Sequence, residues 1–250
     1  MARLKFMNTE IDNLTMKETL QAIDSLIKEN KNAYVVTPNV DHIVQLETNR
    51  ELQDVYANAS LILTDGKPLL WIAKWYGTPI KEKISGSDLF PLLCDMASKK
   101  GYKMFFLGAA EGVAAKAAEN LAKRYKGLQV VGTYSPPYGF EKNPEEMDKI
   151  KGMIKEANPH ILIVGLGCPK QEKFMYHHCE ELGVPISFGL GASFDFEAGN
   201  IKRAPRWMAD HGLEWLFRIT QDPKRMAKRY LVDDRKILGL AIKYRKVTGK

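Results

Sequence analysis

Acidic, amide and hydroxyl side chains stand just after apolar, β-rich runs in this chain, where they could hold a ligand and take a proton from it. "VVTPNVDH" sets Thr37, Asn39, Asp41 and His42 behind one such run, and "LTDGKPLLW" sets Asp65 behind another. Taken singly, each has a structural use. Thr37 or Asn39 can N-cap a helix that starts after Pro38, and Asp65 can cap a helix beginning near Lys67, with Gly66 permitting a tight turn. The chemical reading comes from coincidence: several strand ends of one sheet that all finish polar would open onto a shared crevice.

Two further stretches add anion-binding features. "ISGSDLFPLL" puts Ser85-Gly86-Ser87-Asp88 ahead of an amphipathic pattern, a helix N-terminus whose N–H groups suit a phosphate, with Asp88 as cap or first-turn acid. "VGLGCPKQEKF" follows the most apolar run with Gly165-x-Gly167, then Pro169 at a first helical position and Lys170, Gln171 and Glu172 in the first turn. Glycines there let a ligand approach the backbone. The third glycine of a dinucleotide fingerprint is missing, since Lys170 holds its place here and Phe194 holds it in "GLGASF"; no P-loop pattern occurs either. His177-His178 lack a second cluster at zinc spacing, and Cys168 reads as a small buried filler rather than a nucleophile. Asp195-Phe196-Glu197 would point both carboxylates to one side if extended, like a metal clamp, but a structural turn is the preferred reading.

The elements that must position these residues alternate. Apolar runs at 33–37, 61–64, 103–108, 128–134, 160–167 and 185–191 are interleaved with helical periodicity near 15–30, 39–58, 66–76, 87–100, 111–126, 143–156 and 169–182. This order predicts βαβ units and an α/β fold: a Rossmann-like, mostly parallel sheet with flanking helices, with ligands at the carboxyl ends of the strands. "TYSPPYGFEKNPEE" reads as a loop. After "GLGASFDFEAG" only helical patterns remain, so residues 1–199 are expected to form the catalytic core and 200–250 a helical C-terminal appendage.

Charge sharpens that division. Of 250 residues with net charge +7, the last 50 hold 14 Lys and Arg against 5 Asp and Glu, whereas the first 200 hold 23 against 25. The basic segment also carries Trp207, Trp215, Leu216, Phe217, Ile219, Ile237, Leu238, Leu240 and Ile242, beside Arg206, Arg218, Arg225, Lys228 and Arg229. A segment both apolar and cationic suits an anionic membrane surface, or a terminal helix packed on the core. Its density of Leu, Ile and Trp disfavours a nucleic-acid arm. Three sparse cysteines (Cys94, Cys168, Cys179) suit a reducing compartment, and neither a signal peptide nor a membrane span is expected.

"TPNVDH", "TDGKPLLW", "GSDLF", "GLGCPKQEK", "GASFDFEAG" and "RAPRWM…GLEWLFR", in this order from residue 34 to about 230, resemble the WecG/TagA/CpsF glycosyltransferases of bacterial surface-polymer synthesis. "GSDLFPLL" and "VVGTYSPPYGF" agree best with members that build the linkage unit of wall teichoic acid. The resemblance implies an inverting transfer of N-acetylmannosamine from UDP to the 4-hydroxyl of N-acetylglucosamine on undecaprenyl diphosphate. Asp65 falls on the family's general base, and Thr37, Asn39 and Gln171 fall on its substrate-site residues. Many members have Arg where this chain has Lys83, which keeps the charge but loses the bidentate fork. Lys83, the helix N-termini after Ser85-Gly86 and after Gly165 and Gly167, and an arginine of the tail would then serve the phosphates, with no metal or other cofactor required. The implied enzyme is cytoplasmic and peripheral to the inner face of the cell membrane, self-associating where its apolar tail is uncovered. Competing readings are another donor sugar, such as the uronic acid of N-acetylmannosamine, and a nucleotide-binding oxidoreductase.

Overall fold

The computed structural model describes residues 3–248, without the side chains of Arg206, Asp210 and residues 246–248. The elements follow the expected alternation: β1 (Leu4–Phe6), β2 (Thr9–Ile11), α1 (Met16–Glu29), β3 (Ala33–Val36), α2 (Val40–Leu46), α3 (Arg50–Asn58), β4 (Leu61–Ile62), α4 (Lys67–Trp75) and α5 (Gly86–Lys100). Then come β5 (Lys103–Gly108), α6 (Val113–Arg124), β6 (Gln129–Tyr134), α7 (Pro144–Ala157), β7 (Ile161–Gly165), α8 (Lys170–Leu182), β8 (Ile186–Gly189) and α9 (Gly191–Ala198). The remainder is helical: α10 (Arg206–Asp210), α11 (Glu214–Gln221), α12 (Pro223–Lys228), a π-type turn at Arg229–Asp233 and α13 (Lys236–Thr248). The sheet has six strands in the order β4-β3-β8-β7-β5-β6, and the pairings along β3-β8-β7-β5-β6 are parallel. The molecule is thus an α/β protein with a parallel sheet flanked by helices.

The chain divides into two compact units. One comprises Lys17–Val36 and Gly86–Asn200. Its strands AYVV (β3), ILIV within β7 and ISFG (β8) are buried, because helices cover both faces of a parallel sheet and leave no solvent side to require alternation. Phe90, Phe106 and Phe194 form its aromatic centre, with ring centroids 5.3–5.7 Å apart and near-perpendicular or tilted planes. Asn143 starts α7 by accepting from the N–H groups of Glu145 and Glu146, Pro144 sits in its first turn, and Asn158 ends it in the left-handed region.

The other unit comprises the N-terminal residues through Met16, Thr37–Ser85 and the residues from Ile201 on. Phe6, Ile11, Ile43, Leu46, Leu52, Val55, Leu63, Leu69 and Ile84 form its core. The helix expected over 39–58 is two helices, because the Asn49 side chain accepts from the Leu52 N–H and so caps a fresh start at Arg50. Three residues per strand leave the β1–β2 hairpin too short for its alternation to stand out. Among the described residues no helix is long and apolar enough to cross a membrane.

Candidate active site

Three loops converge within the unit that carries Asp65. The Asp65 N–H donates to the Pro38 carbonyl at 2.8 Å, and the Ile84 N–H donates to the Thr64 carbonyl at 2.8 Å. These two bonds fasten the Thr37-Pro38-Asn39 loop and the Lys83-Ile84-Ser85 segment to either side of Asp65. Thr37 and Ser85 are buried. Asn39 is the N-cap of α2, its side-chain oxygen accepting from the His42 N–H at 3.4 Å.

Asp65 does not do what a strand-end aspartate before a helix ordinarily does. The N-cap of α4 is Gly66, at φ +103°, and the cap makes no side-chain hydrogen bond. That φ turns the backbone between Asp65 and the helix in a way an L side chain resists, and the carboxylate is therefore not spent on capping. The capping expectation for Asp65 is corrected accordingly.

Electrostatics set the character of that carboxylate. Desolvation raises the Asp65 pKa above the usual carboxylate value, opposed by Arg218 and Lys83, reinforced by Glu214 and opposed again by His42. Glu214 and Arg218 lie one turn apart on α11, so both reach the same side of that helix. Glu214 also holds Lys83, Oε2 to Nζ 3.4 Å, with both side chains largely buried. Glu214 did not figure among the sequence candidates; its spacing of four from Arg218 in "LEWLFR" is the signal that finds it.

The other tail cations divide. Arg229 Nη2 donates to Asn39 Oδ1 at 3.1 Å and lies 3.7 Å from Asp41, with its Nε 3.8 Å from Asp234. It therefore joins the C-terminal segment to the loop that precedes α2. Arg225 pairs with Asp222 at 2.7 Å on an exposed surface, and Lys228 is exposed. The side chain of Arg206 lies outside the described residues. Asp234 is buried, and burial lifts its pKa to about 6 against the pull of Arg229, with Asp41 and Asp233 adding to the rise and His42 opposing it.

Gly86, Gly165, Gly167 and Gln171 belong to the other unit. A Cβ on Gly165 would come within 2.5 Å of the Phe194 ring, and one on Gly86 within 2.9 Å of Leu190 Cδ2, so both glycines serve packing. Gly167 adopts φ +77° in open space, the freedom the motif led one to expect. Gln171 is buried against Gly189 and Gly191, where any Cβ would approach its amide to 2.9 Å. Its Nε2 donates to Glu172 Oε1 at 2.8 Å, while Oε1 has no partner among the described residues. The glycines of "FGLGAS" thus seat a buried amide that keeps an acceptor in reserve. Pro169 precedes α8 as its N-cap instead of opening the helix. Asp195 and Glu197 lie on helix α9, where positions two apart diverge, which excludes the clamp reading; Glu197 instead pairs with Arg124 at 2.8 Å.

The unit thus holds a desolvated carboxylate, Asp65, with Arg218 and Lys83 among its electrostatic neighbours, in an α/β fold with a parallel sheet. Residues 4–250 match the glycosyl transferase WecG/TagA/CpsF family, and the chain belongs to it. It is 31% identical over 248 residues to the N-acetylglucosaminyldiphosphoundecaprenol N-acetyl-beta-D-mannosaminyltransferase of Bacillus spizizenii, covering 99% of this chain and 92% of that one. Proteins of the same name from Bacillus subtilis strain 168 (31% over 199 residues, 80% and 75% covered) and Staphylococcus aureus strain MW2 (26% over 229 residues, 91% and 88% covered) are also similar.

Proposed function

We propose that this enzyme transfers N-acetylmannosamine from UDP to the 4-hydroxyl of N-acetylglucosamine on undecaprenyl diphosphate, with inversion and with Asp65 as general base. The observation that carries the reading is the Asp65 carboxyl itself, raised in pKa by desolvation and flanked electrostatically by Arg218 and Lys83. A base works best when its pKa approaches the working pH, and a desolvated carboxylate is a stronger base than one in water. In the step, Asp65 takes the proton of the acceptor 4-hydroxyl while that oxygen bonds the anomeric carbon from the face opposite UDP. The bond from the anomeric carbon to the diphosphate oxygen breaks, and UDP leaves with the electron pair. Lys83 and Arg218 stabilise the charge that develops on the diphosphate, and Glu214 keeps the Lys83 ammonium in place. Thr37, Asn39 and Ser85 are the proposed substrate-binding residues of the unit that carries Asp65, and Gly86, Gly165, Gly167 and Gln171 are those of the other unit. Arg229 fixes Asn39 in this scheme.

By name, the relatives act on N-acetylglucosaminyldiphosphoundecaprenol, a polyprenyl lipid, which supports a peripheral enzyme that works at an anionic membrane surface. The cationic, apolar segment after Asn200 is the proposed attachment, with the exposed Arg225 and Lys228 toward the lipid. UDP release is the test: it should require both UDP-N-acetylmannosamine and a lipid-diphosphate N-acetylglucosamine acceptor. Equal release with other UDP sugars, or without acceptor, would overturn the assignment.

A further inference from the structure

Helix α4 lies in the body of its unit, yet it presents two tryptophans to solvent. Trp71 is 55% and Trp75 45% exposed, one turn apart on the same side of the helix, while Leu69 and Ala73 on the other side are buried. Burying the indoles would be favourable, and leaving two on one ridge is unusual for a surface that meets only water.

The C-terminal helix continues this ridge. On α13, Ile237 and Ala241 face inward, whereas Leu238 and Ile242 are 69% and 62% exposed. The Tyr76 hydroxyl donates to the Ala241 carbonyl at 2.7 Å, tying the end of α4 to the middle of α13. The Arg245 guanidinium lies over the Trp75 ring at 4.3 Å from its centroid. At the other end of α4, the Trp71 ring sits so close to Gly212 that a Cβ there would come within 2.7 Å of it. The exposed rows of α4 and α13 therefore form one apolar surface.

Its charge identifies the occupant. Neither α4 nor α13 contains an Asp or Glu, while they carry Lys67, Lys74, Lys236 and Arg245, and a further lysine, Lys243, that pairs with Glu47. A second copy of this chain would bring these cations against themselves, but an anionic bilayer complements them. Tryptophan suits the headgroup level, where its ring is apolar and its N–H still meets water, and long basic side chains reach outward to the phosphates.

We propose that Trp71 and Trp75 of α4, together with Leu238 and Ile242 of α13, form a docking face for an anionic lipid surface, so that the attachment includes the body of the enzyme and not only its C-terminal segment. The inference rests on the membrane reading above for its purpose, but docking itself needs neither donor nor acceptor, and its test is independent of catalysis.

The full chain is sedimented with vesicles of phosphatidylcholine containing phosphatidylglycerol and with vesicles of phosphatidylcholine alone. Wild type should bind the anionic vesicles, and Trp75→Ser and Ile242→Ser should each weaken binding by about tenfold, as removal of an interfacial anchor requires. Circular dichroism spectra should be unchanged by either substitution. In a second measurement, a variant retaining Trp75 as its only tryptophan, the rest replaced by Phe, should show fluorescence quenched by brominated lipid. Vesicle binding indifferent to both substitutions, or a Trp75 signal insensitive to brominated lipid, would overturn the proposal. So would Trp75→Ser abolishing a dimer seen by sedimentation velocity while vesicle binding stays intact, which would assign the face to a second copy.

Discussion

The Asp65 N–H is bonded to the Pro38 carbonyl at 2.8 Å, and this one bond puts the Thr37-Pro38-Asn39 loop and the Asp65-Gly66 turn side by side. Neither loop is positioned by its side chains alone. Asn39 is occupied with capping α2, and Gly66 takes over the capping position at α4, so the Asp65 carboxylate is left to its electrostatic surroundings.

Those surroundings predict opposite shifts from two residues of α11. Arg218 lowers the Asp65 pKa and Glu214 raises it. The base form is lost as pH falls through the Asp65 pKa, so the acid limb of kcat/KM reports that value. Arg218→Gln should move the limb to higher pH and Glu214→Gln to lower pH. A pH profile of UDP release for the two variants checks this, with the loss of leaving-group stabilisation in Arg218→Gln appearing as about a 10- to 1000-fold lower kcat.

The glycines differ in what they do for stability. Gly165→Ala drives a methyl into the Phe194 ring and should destabilise the fold by about 1–3 kcal/mol in chemical denaturation. Gly152→Ala, at an open and exposed position of α7, should stabilise it by roughly 0.5–1 kcal/mol. Equal effects of the two would contradict the packing assigned to Gly165.

Asp234 makes stability depend on pH. Its native pKa of about 6 lies above the ordinary 3.8, so the folded protein holds the proton more tightly and the ionised form is disfavoured in the fold. Stability from this group is fully present below the ordinary value and is lost as pH rises through about 6. Asp234→Asn should therefore raise the Tm more at pH 7.5 than at pH 5, by an amount on the order of 1 kcal/mol in stability. Thermal melts at the two pH values decide it.

The strand and helix order was legible in the sequence because parallel strands buried on both faces read as unbroken apolar runs, as in AYVV and ILIV. Asp65 and Asn39 are legible as candidates by their place after such runs and Arg218 by its place in the basic tail, whereas Lys83 comes only from the family resemblance. Glu214 was not legible, since an acid beside an apolar stripe looks like a solvated residue until the helix turns it toward Lys83. Nor were the tasks of Gly165, Gly189 and Gly191, which depend on Phe194 and Gln171 arriving from other elements. The segment around Asp195, expected as a turn at a strand end, is instead helix α9, because β8 runs directly into it with only Leu190 between. The exposed ridge of α4 was hidden for a similar reason: a periodic pattern shows which residues share a face, but not whether that face finds a partner.

The central claim is that Asp65 takes the proton of the acceptor hydroxyl. Turnover of Asp65→Asn with UDP-N-acetylmannosamine and the lipid-diphosphate acceptor tests it directly, alongside a thermal melt. The amide keeps the shape and removes the base, so kcat should fall by about 100- to 10,000-fold. The Tm at neutral pH should hold or rise, because the fold disfavours the ionised carboxylate. Turnover within a few-fold of wild type, in a variant that folds normally, would contradict the account.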